Sequence, residues 1–197
     1  MFLTTLGLEL PTDPRWVDIA AMQIGDVLVD HAYCEQKAAS SCISLIVHYP
    51  EKTKMVETLT PIVAEEWGHF QRVLKELRKR NLTLGRQRKD EYVGQLMKLV
   101  RNRGDYEEAF LDRLLICALI EARSCERFKL LSESLEDETL QKFYRELMIS
   151  EAGHYRTFIE LAEEYLPHEQ VRIRWKEFLY AEAEIMKTIK PRGDRMH

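Results

Sequence analysis

Four stretches of this chain place an apolar side chain every third or fourth residue over many turns, a period that only an α-helix gathers on one face. In residues 23–48 the stripe is Val27, His31, Cys34, Ala38, Cys42 and Leu45. In 54–80 it is Met55, Leu59, Ile62, His69, Val73 and Leu77. In 105–131 it is Leu111, Leu114, Ala118, Cys125 and Phe128, and in 138–165 it is Leu140, Tyr144, Leu147, His154, Phe158 and Tyr165. Only eight Gly and six Pro interrupt the chain, which favours helices throughout. Tyr49-Pro50 ends the first stretch, and the segment SESLEDET separates the third from the fourth. Short turns there imply two antiparallel hairpins. Residues 81–104 form a long connection with a short helix expected over 91–101. Asp13-Pro14 opens another short helix, and a last one is expected over 168–189 after Pro167. The expected fold is all-α: a ferritin-like four-helix bundle with a long crossover between its second and third helices, plus accessory helices at both ends.

A length of 197 residues fits a single domain, 1–197, with the core bundle over about 23–165 and the C-terminal helix over about 168–189. The net charge of −4 gives no overall nucleic-acid signature. The longest purely apolar run, residues 114–120, is far too short to span a bilayer. The start, MFLTTLGLELP, has no basic region and carries Glu9, so no export signal is read there, and a cytoplasmic location is expected. Cys34, Cys42, Cys117 and Cys125 form no CxxC pair and read as reduced packing thiols.

Acids sit where apolar residues belong. Glu66 and His69 fall on the stripe of the second helix, within EEWGHF, and Glu151 and His154 on that of the fourth, within SEAGHY. Glu35 is the only acid between Asp30 and Glu51, and Glu121 the only one between Asp112 and Glu126. One Glu-x-x-His pair is expected by chance in a chain of this composition, so the pairs alone decide little. Their register decides more. Glu35 and Glu66 are equidistant from the first turn, and Glu121 and Glu151 from the second, so each pair shares one height of its hairpin. Four buried carboxylates without counter-charge would protonate, whereas two divalent metals cancel them. A Glu on each of two helices and Glu-x-x-His on each of the other two is the ligand pattern of dinuclear carboxylate sites. The expected metal ligands are Glu35, Glu66, His69, Glu121, Glu151 and His154, and mixed O/N ligation suits iron or manganese. Glu65 reads as solvent-facing, and Glu126 as off the symmetry. His31 either orients a ligand or is a core histidine. Tyr144 reads as a core tyrosine or as a donor behind the ligands, and Ala38, Ala39 and Ser124 as small residues that either pack the helices or leave room near the site.

Glu35, EEWGH, Glu121 and SEAGHY, with the basic crossover and the C-terminal helix, resemble the bacterial tRNA-modifying hydroxylases of the MiaE type over essentially the whole chain. The resemblance implies an O2-dependent di-iron monooxygenase that hydroxylates the isopentenyl group of methylthio-isopentenyl-adenosine next to the tRNA anticodon. It implies two iron ions cycling between Fe2+ and Fe3+, O2 as co-substrate, and an external electron donor, a reductase or ferredoxin-type protein. Glu35, Glu66, Glu121 and Glu151 are then catalytic as iron ligands. The tRNA anticodon loop is the expected partner, with no membrane, and the chain a monomer or weak dimer. Residues 75–103 hold ten Lys/Arg (75, 78, 79, 80, 86, 88, 89, 98, 101 and 103) against three acids, and Arg172, Arg174, Lys176, Lys187, Lys190, Arg192 and Arg195 follow later. With the resemblance, these read as RNA contacts. Trp67 and Phe70 are weaker candidates for base stacking. The rival readings are iron storage or detoxification, a rubrerythrin-like peroxidase, and a non-catalytic RNA-binding module.

Overall fold

The structure is a computed structural model and describes residues 5–101 and 105–197; Arg103, counted above among the basic residues, lies outside them. After a 3-10 turn at Thr5–Gly7 come α1 (Arg15–Met22), α2 (Ile24–His48), α3 (Thr53–Lys79), α4 (Glu91–Leu96), α5 (Tyr106–Ser134), α6 (Glu138–Tyr165) and α7 (His168–Thr188). No strand occurs among the described residues. The helix starts follow side-chain chemistry. Asp90, Asp105 and Asp137 cap α4, α5 and α6 by accepting from backbone N–H groups of their first turns. Asp13 does the same for Arg15 ahead of α1. Two boundaries differ from expectation. The short helix expected over 91–101 stops at Leu96 and tightens into a 3-10 turn at Met97–Leu99. Gly94 weakens it, and Val100 is extended. α5 runs on to Ser134 because no Pro or Gly stops it, and Leu135 then caps it by donating to the Leu131 carbonyl.

The chain forms two compact units. One comprises Asp18–Lys89 with Arg192–Met196. Its body is the α2/α3 hairpin, whose seam holds Val27, Leu28, Leu45, Met55, Leu59, Val73 and Leu77, all buried. The connection after α3 is tied down: Tyr33 donates to the Gly85 carbonyl at 2.8 Å, and Arg88 reaches both Asp26 and the backbone of Asp194. The tail is fixed in turn, with Asp30 accepting from the Met196 N–H at 2.8 Å. Gly193 permits this approach, since a Cβ there would stand 2.5 Å from the Ile19 carbonyl oxygen. Arg88 therefore clasps the tail.

The other unit comprises the described residues of Met1–Val17, with Asp90–Pro191 and His197. The α5/α6 hairpin is its core, with Leu111, Leu114, Ala118, Phe128, Leu140, Tyr144, Leu147 and Phe158 buried between the two helices and their neighbours. The back of α5 carries charge instead. Arg123, wholly buried, donates to Glu182 of α7 at 2.7 and 2.9 Å, to the Leu10 carbonyl at 2.9 Å and to Thr12 at 3.1 Å, and it pairs with Glu126. Glu126 accepts from the Thr12 hydroxyl at 2.6 Å, and Tyr92 of α4 donates to Glu182 at 3.2 Å. Arg127 lies 4.6 Å from the centre of the Trp16 ring. Burial, and then the charge of Arg123, pull the Arg127 guanidinium down to about 10. This network ties the N-terminal segment, α4 and α7 to one face of α5.

A second buried acid, Asp112, accepts from Arg101 and Arg174 at 2.8 to 3.0 Å. Burial alone would raise its carboxyl, but the hydrogen bonds from Arg174 and Arg101 outweigh it and hold it below the usual carboxylate range. A lowered folded value means stability that is present above the unfolded value of about 3.9 and is lost as pH falls through the folded one. Asp112→Asn is expected to cost about 2 kcal/mol at pH 7, with the gap to wild type closing below pH 4. Urea titrations at pH 7 and pH 3 check this, and an equal gap at both would refute it.

Candidate metal centre

The α2/α3 hairpin brings Glu35, Glu66 and His69 together. All three are buried, and one ligand atom of each lies within 4.8 Å of the others. The i, i+3 spacing sets Glu66 and His69 on one face of α3, and the register of the hairpin sets Glu35 opposite them. His69 Nδ1 stands 3.5 Å from Glu66 Oε2 and 3.6 Å from Glu35 Oε2. His31, one turn before Glu35, meets Glu35 Oε1 through Nε2 at 2.5 Å. It is wholly buried, as both readings from sequence require, and its contact with Glu35 is the one an orienting histidine makes. Burial would raise the Glu35 carboxyl, but the hydrogen bond and charge of His31, followed by His69 and Glu66, hold it below the usual range. Burial would likewise lower His69, yet Glu35 and Glu66 outweigh it and push the imidazole up to about 9. Two carboxylates flank one imidazole nitrogen here, a setting that also suits a divalent cation, whose binding favours the neutral imidazole.

The α5/α6 hairpin repeats the arrangement with Glu121, Glu151 and His154. These are also buried, with ligand atoms within 4.8 Å of one another, and His154 Nδ1 is 3.8 Å from Glu151 Oε2. Cys125, one turn after Glu121, is pushed up to about 11 by burial and then by the Glu121 charge, and it stays a thiol. The position one turn before Glu121 is Cys117, so this half has no counterpart to His31. Each hairpin therefore offers two carboxylates and one imidazole, a donor set that suits a hard or borderline divalent metal such as iron or manganese.

A family model described as tRNA-(MS2IO6A)-hydroxylase (MiaE) matches residues 4–197. The chain belongs to the MiaE family. Two relatives named tRNA 2-(methylsulfanyl)-N(6)-isopentenyladenosine(37) hydroxylase match this MiaE-family chain. The one from Pseudomonas putida is 37% identical, over 80% of this chain and 76% of that protein. The one from Salmonella typhimurium is 28% identical, over 91% and 83%. A solved structure, protein 43 with aldehyde deformylating oxygenase activity from Synechococcus, superimposes with a TM-score of 0.91 at 34% identity. The match covers 96% of this chain and 94% of that one. The MiaE-family chain has the all-helical, ferritin-like fold expected from its sequence.

The other candidate residues are sorted by their contacts. Glu65 is exposed, and Glu126 belongs to the Arg123 network rather than to either cluster. Tyr144 packs between Phe128 and Phe143, with ring centres 5.4 and 5.2 Å away. The Ser124 hydroxyl lies 3.0 Å from Nε2 of His197, whose ring stacks on Tyr92. That contact could not be read from sequence, since 73 positions separate the two residues. The basic residues divide likewise. Lys79 and Arg80 pair with Glu76, Arg101 with Asp112, Arg172 with Glu169, Arg174 with Asp112, Lys187 with Glu184, and Arg192 and Arg195 with Asp194. Most of the C-terminal cations are thus paired within the chain. Arg86 and Lys89 of the connection are exposed or half-buried and appear in no ion pair among the described residues. Among the described residues no helix is long and apolar enough to cross a membrane.

Proposed function

We propose that the chain is one ferritin-like domain in which the two clusters together hold two iron ions, and that it hydroxylates the isopentenyl group of methylthio-isopentenyl-adenosine beside the tRNA anticodon. The observation that carries this is the doubled cluster of two buried carboxylates and an imidazole in a chain of the MiaE family. Glu35, Glu66 and His69 would hold one ion and Glu121, Glu151 and His154 the other. Bound iron supplies the activation of O2 and the oxidising power that a C–H bond of an unactivated methyl group requires. The chain's own residues do the rest. The four carboxylates balance the charge of two divalent ions. His31 fixes the orientation of Glu35 through its 2.5 Å contact. Burial of all six ligands keeps bulk water from the oxidising site. An external reductase or ferredoxin-type donor supplies electrons, and the compartment is the cytoplasm, where tRNA is found.

The test is expression in cells that make the methylthio-isopentenyl nucleoside but lack its hydroxylase, followed by weighing of the tRNA nucleosides. A species heavier by one oxygen supports the reading; its absence, with soluble iron-loaded protein, sinks it. The solved relative's aldehyde deformylating oxygenase activity favours one second reading, oxygen-dependent deformylation of an aldehyde. The same protein incubated with an aldehyde separates the two.

RNA contact falls on the connection after α3. Arg86→Glu with Lys89→Glu is expected to weaken tRNA binding at least tenfold and to flatten its salt dependence, because fewer counterions are released. Iron content should not change. Filter binding across a salt series reads both quantities, and an unchanged slope would place the RNA elsewhere.

A further inference from the structure

α3 carries an outward stripe that the metal cluster does not use. Thr60, Ala64, Trp67, Gln71, Lys75 and Arg78 share one side of the helix, and all are exposed. Glu57, also exposed, lies on the same side one turn before Thr60, and no acid falls between Thr60 and Arg78 on that side. Trp67 is 46% exposed, an unusual cost for so large an apolar ring. It is the immediate neighbour of Glu66, and its ring lies 4.8 Å, centre to centre, from that of Phe70, the neighbour of buried His69. Lys75 and Arg78, two and three turns on, are in no ion pair among the described residues, whereas Lys79 and Arg80 beside them are paired to Glu76. An aromatic ring with two uncommitted cations is the composition of a docking spot for an anionic partner.

Both RNA and an acidic protein are anionic, and the geometry separates them. Glu66 and His69 face inward, and the stripe faces outward. A prenyl group bound on the stripe would have the whole helix between itself and the ligands. An electron needs no opening: the barrier is the thickness of one helix, about 10 Å, bridged by the Trp67 and Phe70 rings and the short backbone path to Glu66 and His69.

We propose that the Trp67–Lys75–Arg78 stripe of α3 is the docking and electron-entry surface for a small acidic one-electron iron–sulfur protein. The proposal rests on the iron reading above. In hydroxylation one atom of O2 enters the C–H bond and the other leaves as water, which takes two electrons and two protons from outside. Two molecules of the reduced carrier, docked in turn, supply the electrons by returning the ferric pair to ferrous, and each leaves oxidised. The protons come from solvent.

The experiment uses the full chain and a plant-type [2Fe–2S] ferredoxin as probe. Calorimetric titration at low and high salt measures binding, stopped-flow absorbance follows reduction of the ferric protein by the reduced ferredoxin, and dithionite serves as a small reductant that needs no docking. Lys75→Glu with Arg78→Glu is expected to weaken ferredoxin binding at least tenfold at low salt, with the difference shrinking at high salt. Trp67→Ala is expected to weaken it roughly tenfold, and Trp67→Phe to restore most of the loss. Reduction by dithionite and iron content should match wild type. Variants that bind ferredoxin and are reduced by it as wild type is, or a wild type that takes no electrons from it, overturn the proposal. Loss of tRNA affinity in place of ferredoxin affinity gives the stripe to RNA and overturns it too. A wild-type chain that holds no iron fails the proposed function instead, and the titration, which needs no iron, still decides whether the stripe takes the carrier.

Discussion

Glu151→Ala is expected to abolish the hydroxylated nucleoside and to reduce bound iron from two ions per chain to one or fewer. Glu151 is 2% exposed, and together with Glu121 and His154 it makes up the α5/α6 cluster. Without it one carboxylate and one imidazole remain on that hairpin, too few donors to hold an ion against water. The change should not unfold the protein. In the metal-free chain Glu151 and Glu121 are both buried carboxyl groups, and removing one lowers the cost of burying them. Iron assay, circular dichroism and nucleoside mass on one preparation make the test, with product at least a hundredfold below wild type in a folded variant as the expected result. A variant that keeps its iron and its product would remove Glu151 from the ligand set.

Arg123→Met should cost more stability than Asp112→Asn, about 3–5 kcal/mol. The guanidinium is wholly buried and answers Glu182 and Glu126, both also buried. Burial raises the Glu182 carboxyl, and Arg123 is what opposes that rise. Removing the cation leaves two acids with Tyr92, Thr12 and the charge of nearby Arg127 to meet them. Against a total stability of about 5–15 kcal/mol for a domain, that loss is large. Removing the acid as well, in Arg123→Met with Glu182→Leu, should recover much of it, since an apolar replacement of a buried pair is often neutral. Chemical denaturation of the single and double variants gives both numbers. A cost below about 1 kcal/mol for the single change, no more than an exposed ion pair contributes, would make the network incidental.

The helices were legible because their period is local. Apolar spacing fixes a helix wherever it ends up, and the turns at Tyr49-Pro50 and Asp137 are marked by residues that stop or cap helices. The two clusters were legible for a related reason. A hairpin's register follows from its turn, so Glu35 could be set against Glu66 and Glu121 against Glu151 without knowing anything else. What pairs over long separations was not legible. Arg123 and Glu182 lie 59 positions apart, and nothing in either local pattern distinguishes them from surface charges. Arg88 looked like part of a basic run until its partners, Asp26 and Asp194, were in view. His31 was ambiguous for the opposite reason: a histidine on an apolar stripe suits a core as well as a ligand, and the contact to Glu35 is visible only in the structure.

The tail clasp bears on the order in which the protein is made. Chains emerge from the ribosome N-terminus first, and segments fold as they appear. The α2/α3 hairpin, with Glu35, Glu66 and His69, is complete well before α5 exists. Yet Asp30 finds the Met196 N–H 166 positions later, and Arg88 waits 106 positions for Asp194. During that interval Asp30 and Arg88 lack part of their final set of partners. The first hairpin synthesised is thus among the last parts of the molecule to be finished.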